Sequence, residues 1–198
     1  MKRLLLIGAV CVLFLGVSAA HGQQLDAAFG VSGLTATPAS SAGANNFPQT
    51  MGGGAFAGFS ADYLLRHHFG VGFETAWRAK RNTYFGVQPF RPILYDFNGV
   101  YAPPLGKHAS LELQGGIGVS STRFYQPFIT CNLVSCTNFA TANHFLGHVG
   151  GGIRFYIWHN VFLRPEAHYY AIHNNVEFAG SRVTRFGMSL GYSLRGNE

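Results

Sequence analysis

The residues predict an all-β fold of eight antiparallel strands closed up-and-down into a transmembrane β-barrel, preceded by a cleavable signal peptide. Three observations predict it. Charged residues make up only 11% of the chain, while aromatics reach 15% and glycines number 26; a water-facing surface wants about a quarter charged residues. Beyond residue 20 no apolar run approaches the roughly 20 residues that a helical span needs. In its place come segments of about ten to fourteen residues that alternate between two kinds of side chain, separated by Gly, Pro, Asn and Ser clusters.

The first 22 residues set the compartment. Met1, Lys2 and Arg3 are a short basic start, Leu4 to Gly16 is apolar, and Val17 to Gly22 is small and weakly polar, which is the layout of a secretory signal peptide. Small-x-small cleavage fits after Ala20 or after Gly22, and the second frame is preferred, leaving Gln23 as the mature start. Without Lys2 and Arg3 the 14 basic and 8 acidic residues become 12 and 8, a formal +4. With no block of like charge, nothing tracks a phosphate backbone, and nucleic acid is excluded as a partner. Residues 23–198 are enough for one domain. Cys11 falls within the signal; Cys131 and Cys136 remain as an even pair in an exported chain, and are expected to form a disulfide closing a short loop.

Eight strands are placed in order: Leu25 to Thr35, Gly53 to Leu65, Phe69 to Lys80, Pro92 to Ala102, Ala109 to Thr122, His144 to Ile157, Val161 to His173, and Val183 to Leu194. Short turns follow the second, fourth and sixth strands, at Arg66 to His68, Pro103 to His108 and Trp158 to Asn160. Longer connections follow the odd ones, at Ala36 to Gly52, Arg81 to Arg91, Arg123 to Asn143 and Asn174 to Arg182. Tight turns at one end and long loops at the other, with an even strand number, are the asymmetry of a membrane barrel.

Successive side chains of a strand point to opposite faces, so each strand assigns its residues to lipid or lumen. In the fifth, Leu111, Leu113, Ile117 and Val119 share one face, and Glu112, Gln114, Gly116 and Gly118 the other. In the third, Val71, Phe73, Thr75 and Trp77 oppose Glu74, Arg78 and Lys80. In the eighth, Phe186, Met188, Leu190 and Tyr192 oppose Arg185 and Ser189. The same phase sends Asp26, Asp62, Asp96, Arg154, Arg164 and Glu166 inward. Eight strands enclose an interior that side chains can fill, so Asp62, Glu74, Asp96, Glu112 and Glu166 are expected to pair with Arg78, Arg154, Arg164 and Arg185 as a polar core. A soluble β-sandwich or lipocalin-like barrel would reverse that polarity. Against it stand the scarcity of charge and the aromatics near strand ends, among them Tyr63, Phe69, Trp77, Tyr101, Phe155, Tyr169 and Tyr192, placed as interfacial girdles require.

On these features the chain resembles the small outer-membrane β-barrel superfamily that includes the eight-stranded OmpA transmembrane domain. Arg185, Gly187, Leu190 and Tyr192 match the last-strand signal recognised by the barrel assembly machinery, although the chain continues to Glu198 rather than ending on an aromatic. The resemblance implies a bacterial outer-membrane location, contact with outer-membrane lipid and lipopolysaccharide, a monomer, and no peptidoglycan-binding domain.

The histidines invite a chemical reading. Late-strand His168 is placed like the histidine of a PagL-type lipid A deacylase, but Tyr169 and Tyr170 follow it where the Ser nucleophile would stand. A base with nothing to activate hydrolyses no ester, so no catalytic site is expected. His144, His148 and Glu166 are of metal-ligand type, yet interior His and carboxylates satisfy one another; no metal or cofactor is expected. The glycines at 116, 118, 150 and 152 thin the interior, which keeps a narrow channel or small-ligand barrel as the alternative function. In the third outside loop Phe124, Tyr125, Phe128, Ile129, Leu133, Val134 and Phe139 surround the cysteine pair. They read either as a contact patch for a partner, surface lipid or ligand, or as a segment that plugs the mouth or lies on lipopolysaccharide. The leading expectation is a non-enzymatic envelope protein that is structural or binds through its outside loops.

Overall fold

The alternation becomes a closed ring. The computed structural model describes residues 23–36, 50–66, 68–84, 86–131, 136–178 and 180–195. The expected signal peptide, most of the first outside loop, His67, Leu133 and Val134 lie outside the described residues. The strands are β1 (Gln24–Ala36), β2 (Ala55–Arg66), β3 (Phe69–Arg78), β4 (Asn82–Tyr84), β5 (Gln88–Tyr101), β6 (Ala109–Cys131), β7 (Cys136–Trp158), β8 (Val161–Ile172) and β9 (Arg182–Arg195). Eight of them pair antiparallel around the ring; β3 joins β5, and β1 closes on β9 from Gln24↔Arg195 to Ala36↔Val183. Closure removes the open edges that would otherwise template aggregation.

Polarity is inside-out. Phe97 is 69% exposed and Ile117 60%, and the two are cross-strand partners on the outer surface. Arg154, by contrast, is wholly buried. In hydrocarbon such outward side chains gain about 1.5–3 kcal/mol each over exposure to water. Phe69 stacks on Tyr101 at 4.6 Å near the short-turn end, as a girdle should. Two of the short turns use a left-handed residue that is not glycine, His68 (φ 81°) and His159 (φ 45°); each lets a strand reverse within a few residues.

Three sequence expectations are corrected. The third strand stops at Arg78, so Lys80 is exposed beyond it rather than in the lumen. The connection after it contains β4, which folds back on β5 through Asn82↔Phe90 and Tyr84↔Gln88; three residues carry too little pattern to be seen. The described residues of the third outside connection are strand rather than loop. β6 and β7 each run 23 residues, more than twice the roughly 9–11 a tilted strand needs to cross, and they stay paired from Tyr125↔Phe139 to Thr130↔Thr137 around a bulge. Cys131 and Cys136 are cross-strand partners, bridged with Cα atoms 4.0 Å apart.

That staple ties only the far end of the hairpin. Replacing both cysteines by serine is expected to leave the ring's unfolding free energy within about 0.5 kcal/mol while hastening proteolytic cutting of the hairpin tip. Loss of ring stability in urea titrations would show the tip to be coupled to the barrel instead.

Candidate functional site

The lumen fills in layers from the short-turn end upward. Leu64, Val100 and Ala102 form an apolar floor. Above it Arg154, fixed by β7, contacts Asp26 of β1 and Glu112 of β6, with Asp62 of β2 at 3.1 Å. Its guanidinium lies over the Phe162 ring at 5.3 Å. Arg164 of β8 reaches Glu112 at 2.5 Å and Glu166 at 2.9 Å, and donates to Ser60 Oγ at 2.8 Å. Strand alternation brings these groups inward from five strands; the buried charges survive because each guanidinium meets more than one carboxylate.

The middle layer mixes rings with charge. Arg185 pairs with Glu74. The rings of His148 of β7 and of His168 and Tyr170 of β8 cluster in a triangle, with His148 at centroid distances of 5.1 and 4.6 Å from the other two and those two 6.3 Å apart. Its Nδ1 is 2.8 Å from Asn98 Oδ1 and 3.1 Å from Asp96 Oδ1, and its Nε2 is 2.9 Å from His168 Nδ1. Among the described residues the lumen thus holds six carboxylates, Asp26, Asp62, Glu74, Asp96, Glu112 and Glu166, against three ion-paired guanidiniums, those of Arg154, Arg164 and Arg185. Arg78, expected among the pairs, makes no ion pair with any described residue; it sits at the mouth over the Phe90 ring at 5.9 Å.

The outer mouth is stoppered. Leu34, Met51, Phe56, Phe90, Leu94, Leu146, Ile172, Phe178 and Val183 form one buried cluster, with Tyr84 and Phe124 packed against it. Phe178 comes from the β8–β9 connection, which is tied down where Tyr84 donates to the Glu177 carbonyl at 2.7 Å and His144 meets the Glu177 carboxylate at 2.6 Å. His144 is therefore a mouth residue, apart from His148 and Glu166, with which its strand phase groups it.

The expected third-loop patch divides. Phe124 turns inward into the stopper and is no contact surface. Tyr125 and Phe139 lie 6.0 Å apart on the outside, each under a guanidinium: Arg81 is 3.7 Å from the Tyr125 ring and Arg123 is 4.9 Å from Phe139. Phe128 and Ile129 are 60% and 70% exposed. Between this hairpin and the β4–β5 turn opens a cleft of about 500 Å³, bordered by Arg81, Pro89, Tyr125, Pro127 and Phe128. Sequence reasoning missed a further pair: Arg91 and Arg123 stand directly opposite in register and face outward, since Phe90 and Phe124 beside them face the stopper.

No protein-family model and no curated protein matches the chain. Solved structures do resemble it. The attachment invasion locus protein Ail of Yersinia pestis, crystallised with the heparin analogue sucrose octasulfate, aligns over 88% of this chain and all of its own at 12% identity and a TM-score of 0.55. Neisserial surface protein A aligns over 88% of this chain and 97% of its own at 12% identity and a TM-score of 0.55. A major outer membrane protein of Thermus thermophilus aligns over 88% and 100% at 10% identity and a TM-score of 0.57. The shared property is the fold, that of small outer-membrane β-barrels.

Proposed function

We propose, from a fold shared with small outer-membrane barrels, that this chain is an integral outer-membrane protein with a closed lumen, whose work is done by its outer rim against anionic surface lipid. The observation that carries the reading is the outward-facing Arg91–Arg123 pair. Like charges directly opposite across a ladder repel, and Arg81 adds a third guanidinium on the same face over Tyr125. The arrangement becomes favourable when an anion with several oxygens bridges the forks. At the outer end of a membrane barrel, the phosphates of lipopolysaccharide supply that anion. The projecting hairpin, with Phe128 and Ile129 exposed and the cleft at its base, is the second contact surface, for a surface ligand.

The channel alternative meets two barriers, the salt-bridged layer and the aromatic stopper, so planar-bilayer recordings are expected to be silent. The enzymatic reading lacks its Ser nucleophile. Export through the signal peptide and recognition of Arg185, Gly187, Leu190 and Tyr192 by the assembly machinery complete the proposal. In the folded ring Arg185 is occupied by Glu74, and Leu190 and Tyr192 face lipid, so that signal acts before closure.

The test is binding of purified lipopolysaccharide to the refolded barrel. Reversing both charges, Arg91→Glu with Arg123→Glu, is expected to weaken binding at least about tenfold, since one charge-assisted contact is worth about 1.5–3 kcal/mol. Equal binding by the folded double variant would refute the rim reading.

A further inference from the structure

The middle of the lumen holds a charge arrangement that the ion pairs leave unbalanced. Across the whole lumen six carboxylates face three ion-paired guanidiniums, so with neutral imidazoles the interior is short of positive charge. Glu74 has Arg185 and Glu166 has Arg164, whereas Asp96 meets no guanidinium among the described residues; these three carboxylates surround His148 and His168.

Hydrogen-bond roles there are constrained. His148 Nδ1 faces two acceptors, Asn98 Oδ1 at 2.8 Å and Asp96 Oδ1 at 3.1 Å, so it carries the proton and Nε2 keeps a lone pair. His168 Nε2 is aimed at Glu166 Oε1, 3.7 Å away, with no hydrogen-bond partner; a proton on that nitrogen leaves a lone pair on Nδ1. Glu74 Oε2 is buried and has no hydrogen-bond partner either. Three lone pairs therefore converge: His148 Nε2 to His168 Nδ1 is 2.9 Å and His168 Nδ1 to Glu74 Oε2 is 3.6 Å, and each of the three residues offers a donor atom within 4.8 Å of one on each of the others. Left to themselves they repel.

We infer that Glu74, His148 and His168 form a binding site for a divalent transition-metal ion of the zinc class. The spacing suits it: ligand atoms at about 2.0–2.2 Å from a tetrahedral ion stand roughly 3.3 Å apart, and the observed separations lie either side of that. Two nitrogens and one carboxylate oxygen are donors such ions take. Each imidazole also presents its other nitrogen to a carboxylate, His148 to Asp96 and His168 to Glu166, the outer arrangement that fixes ring tautomers at metal centres. Gly150 keeps the space open, since a Cβ there would stand 2.5 Å from His168 Nδ1 and 2.9 Å from His148 Nε2. An ion would offset the local negative charge and cross-link β3, β7 and β8. Because stopper and floor close the lumen, it enters as the ring closes and then exchanges slowly.

The test refolds the full chain in detergent with zinc or cobalt(II), removes free metal by gel filtration, and measures bound metal by mass spectrometry and the visible absorption of cobalt. One equivalent per chain is expected, with a four-coordinate cobalt spectrum. His148→Asn with His168→Gln should lower retention at least tenfold; Asp96→Asn should weaken it by about 10- to 100-fold; and His144→Gln, at the mouth, should leave it unchanged. Unboiled compact gel mobility verifies that each variant is folded. Folded wild type that retains no metal would show that a proton bridges the imidazoles instead, and retention undiminished in the folded double variant would show adventitious surface binding. Either result overturns the assignment.

Discussion

Arg154→Met is expected to destabilise the folded barrel by about 3–5 kcal/mol, the cost of leaving buried charge without its partner. Arg154 is wholly buried and is the common neighbour of Asp26, Asp62 and Glu112. A methionine fills much of its volume but compensates none of the three carboxylates, and Arg164 is already committed to Glu112 and Glu166. Urea unfolding in lipid vesicles, read by the fluorescence of the chain's 2 tryptophans, gives the free energy. Arg81→Met, at the exposed rim, is the control and should shift it by no more than about 0.5 kcal/mol. A loss under about 1 kcal/mol for Arg154→Met would mean that water reaches this layer and that the lumen is an aqueous path.

Ile117→Arg is expected to cost about 2–4 kcal/mol in the same assay, because the side chain faces outward at mid-strand and would place a charge in hydrocarbon. Its partners across the ladder are Phe97 and Gly147, so no carboxylate is at hand to receive it. The substitution separates the two polarities directly: on the outside of a water-soluble barrel an added arginine would be close to neutral, within about 0.5 kcal/mol. Ile117→Phe, which keeps the surface apolar, should leave stability nearly unchanged. A neutral Ile117→Arg in vesicles would remove the membrane reading of the exterior.

The ring is legible in the residues where one face meets hydrocarbon and the other a polar interior, because that contrast writes itself into alternate positions. Glu112 against Leu113, or Arg185 against Phe186, suffices to set the phase of a whole strand, and a shift by one residue would send every charge into lipid. Past the bilayer the contrast fades. From Thr137 to Asn143 small residues, Thr, Asn and Ala, occupy both faces of β7 with Phe139 alone among them, and the paired strands above the membrane read as a loop. The cysteine spacing carries the missing signal, since a four-residue gap between two bridged partners is what a hairpin end requires. Register between neighbours is not legible either. The phase puts His148 and His168 in the lumen separately, but which carboxylate meets them depends on β7 sliding along β8 until Gly150 faces His168, and on β3 across the interior. For the same reason the residues alone group His144 with the wrong partners, and make Arg91 and Arg123 look like stray strand-end charges.

The seam between β1 and β9 has a kinetic meaning. Every other junction in the cylinder joins segments adjacent or nearly adjacent along the chain, and can form as soon as those segments are made. Gln24 must wait for Arg195 and Ala36 for Val183. Because contacts between distant residues carry the largest loop-closure entropy, this junction sets the pace, and until it zips the sheet is an open ribbon with two bare margins in a lipid phase that cannot solvate them. Asp26 travels on one margin and Ser189 on the other, so the last fastening step is also the one that seals water out of the centre.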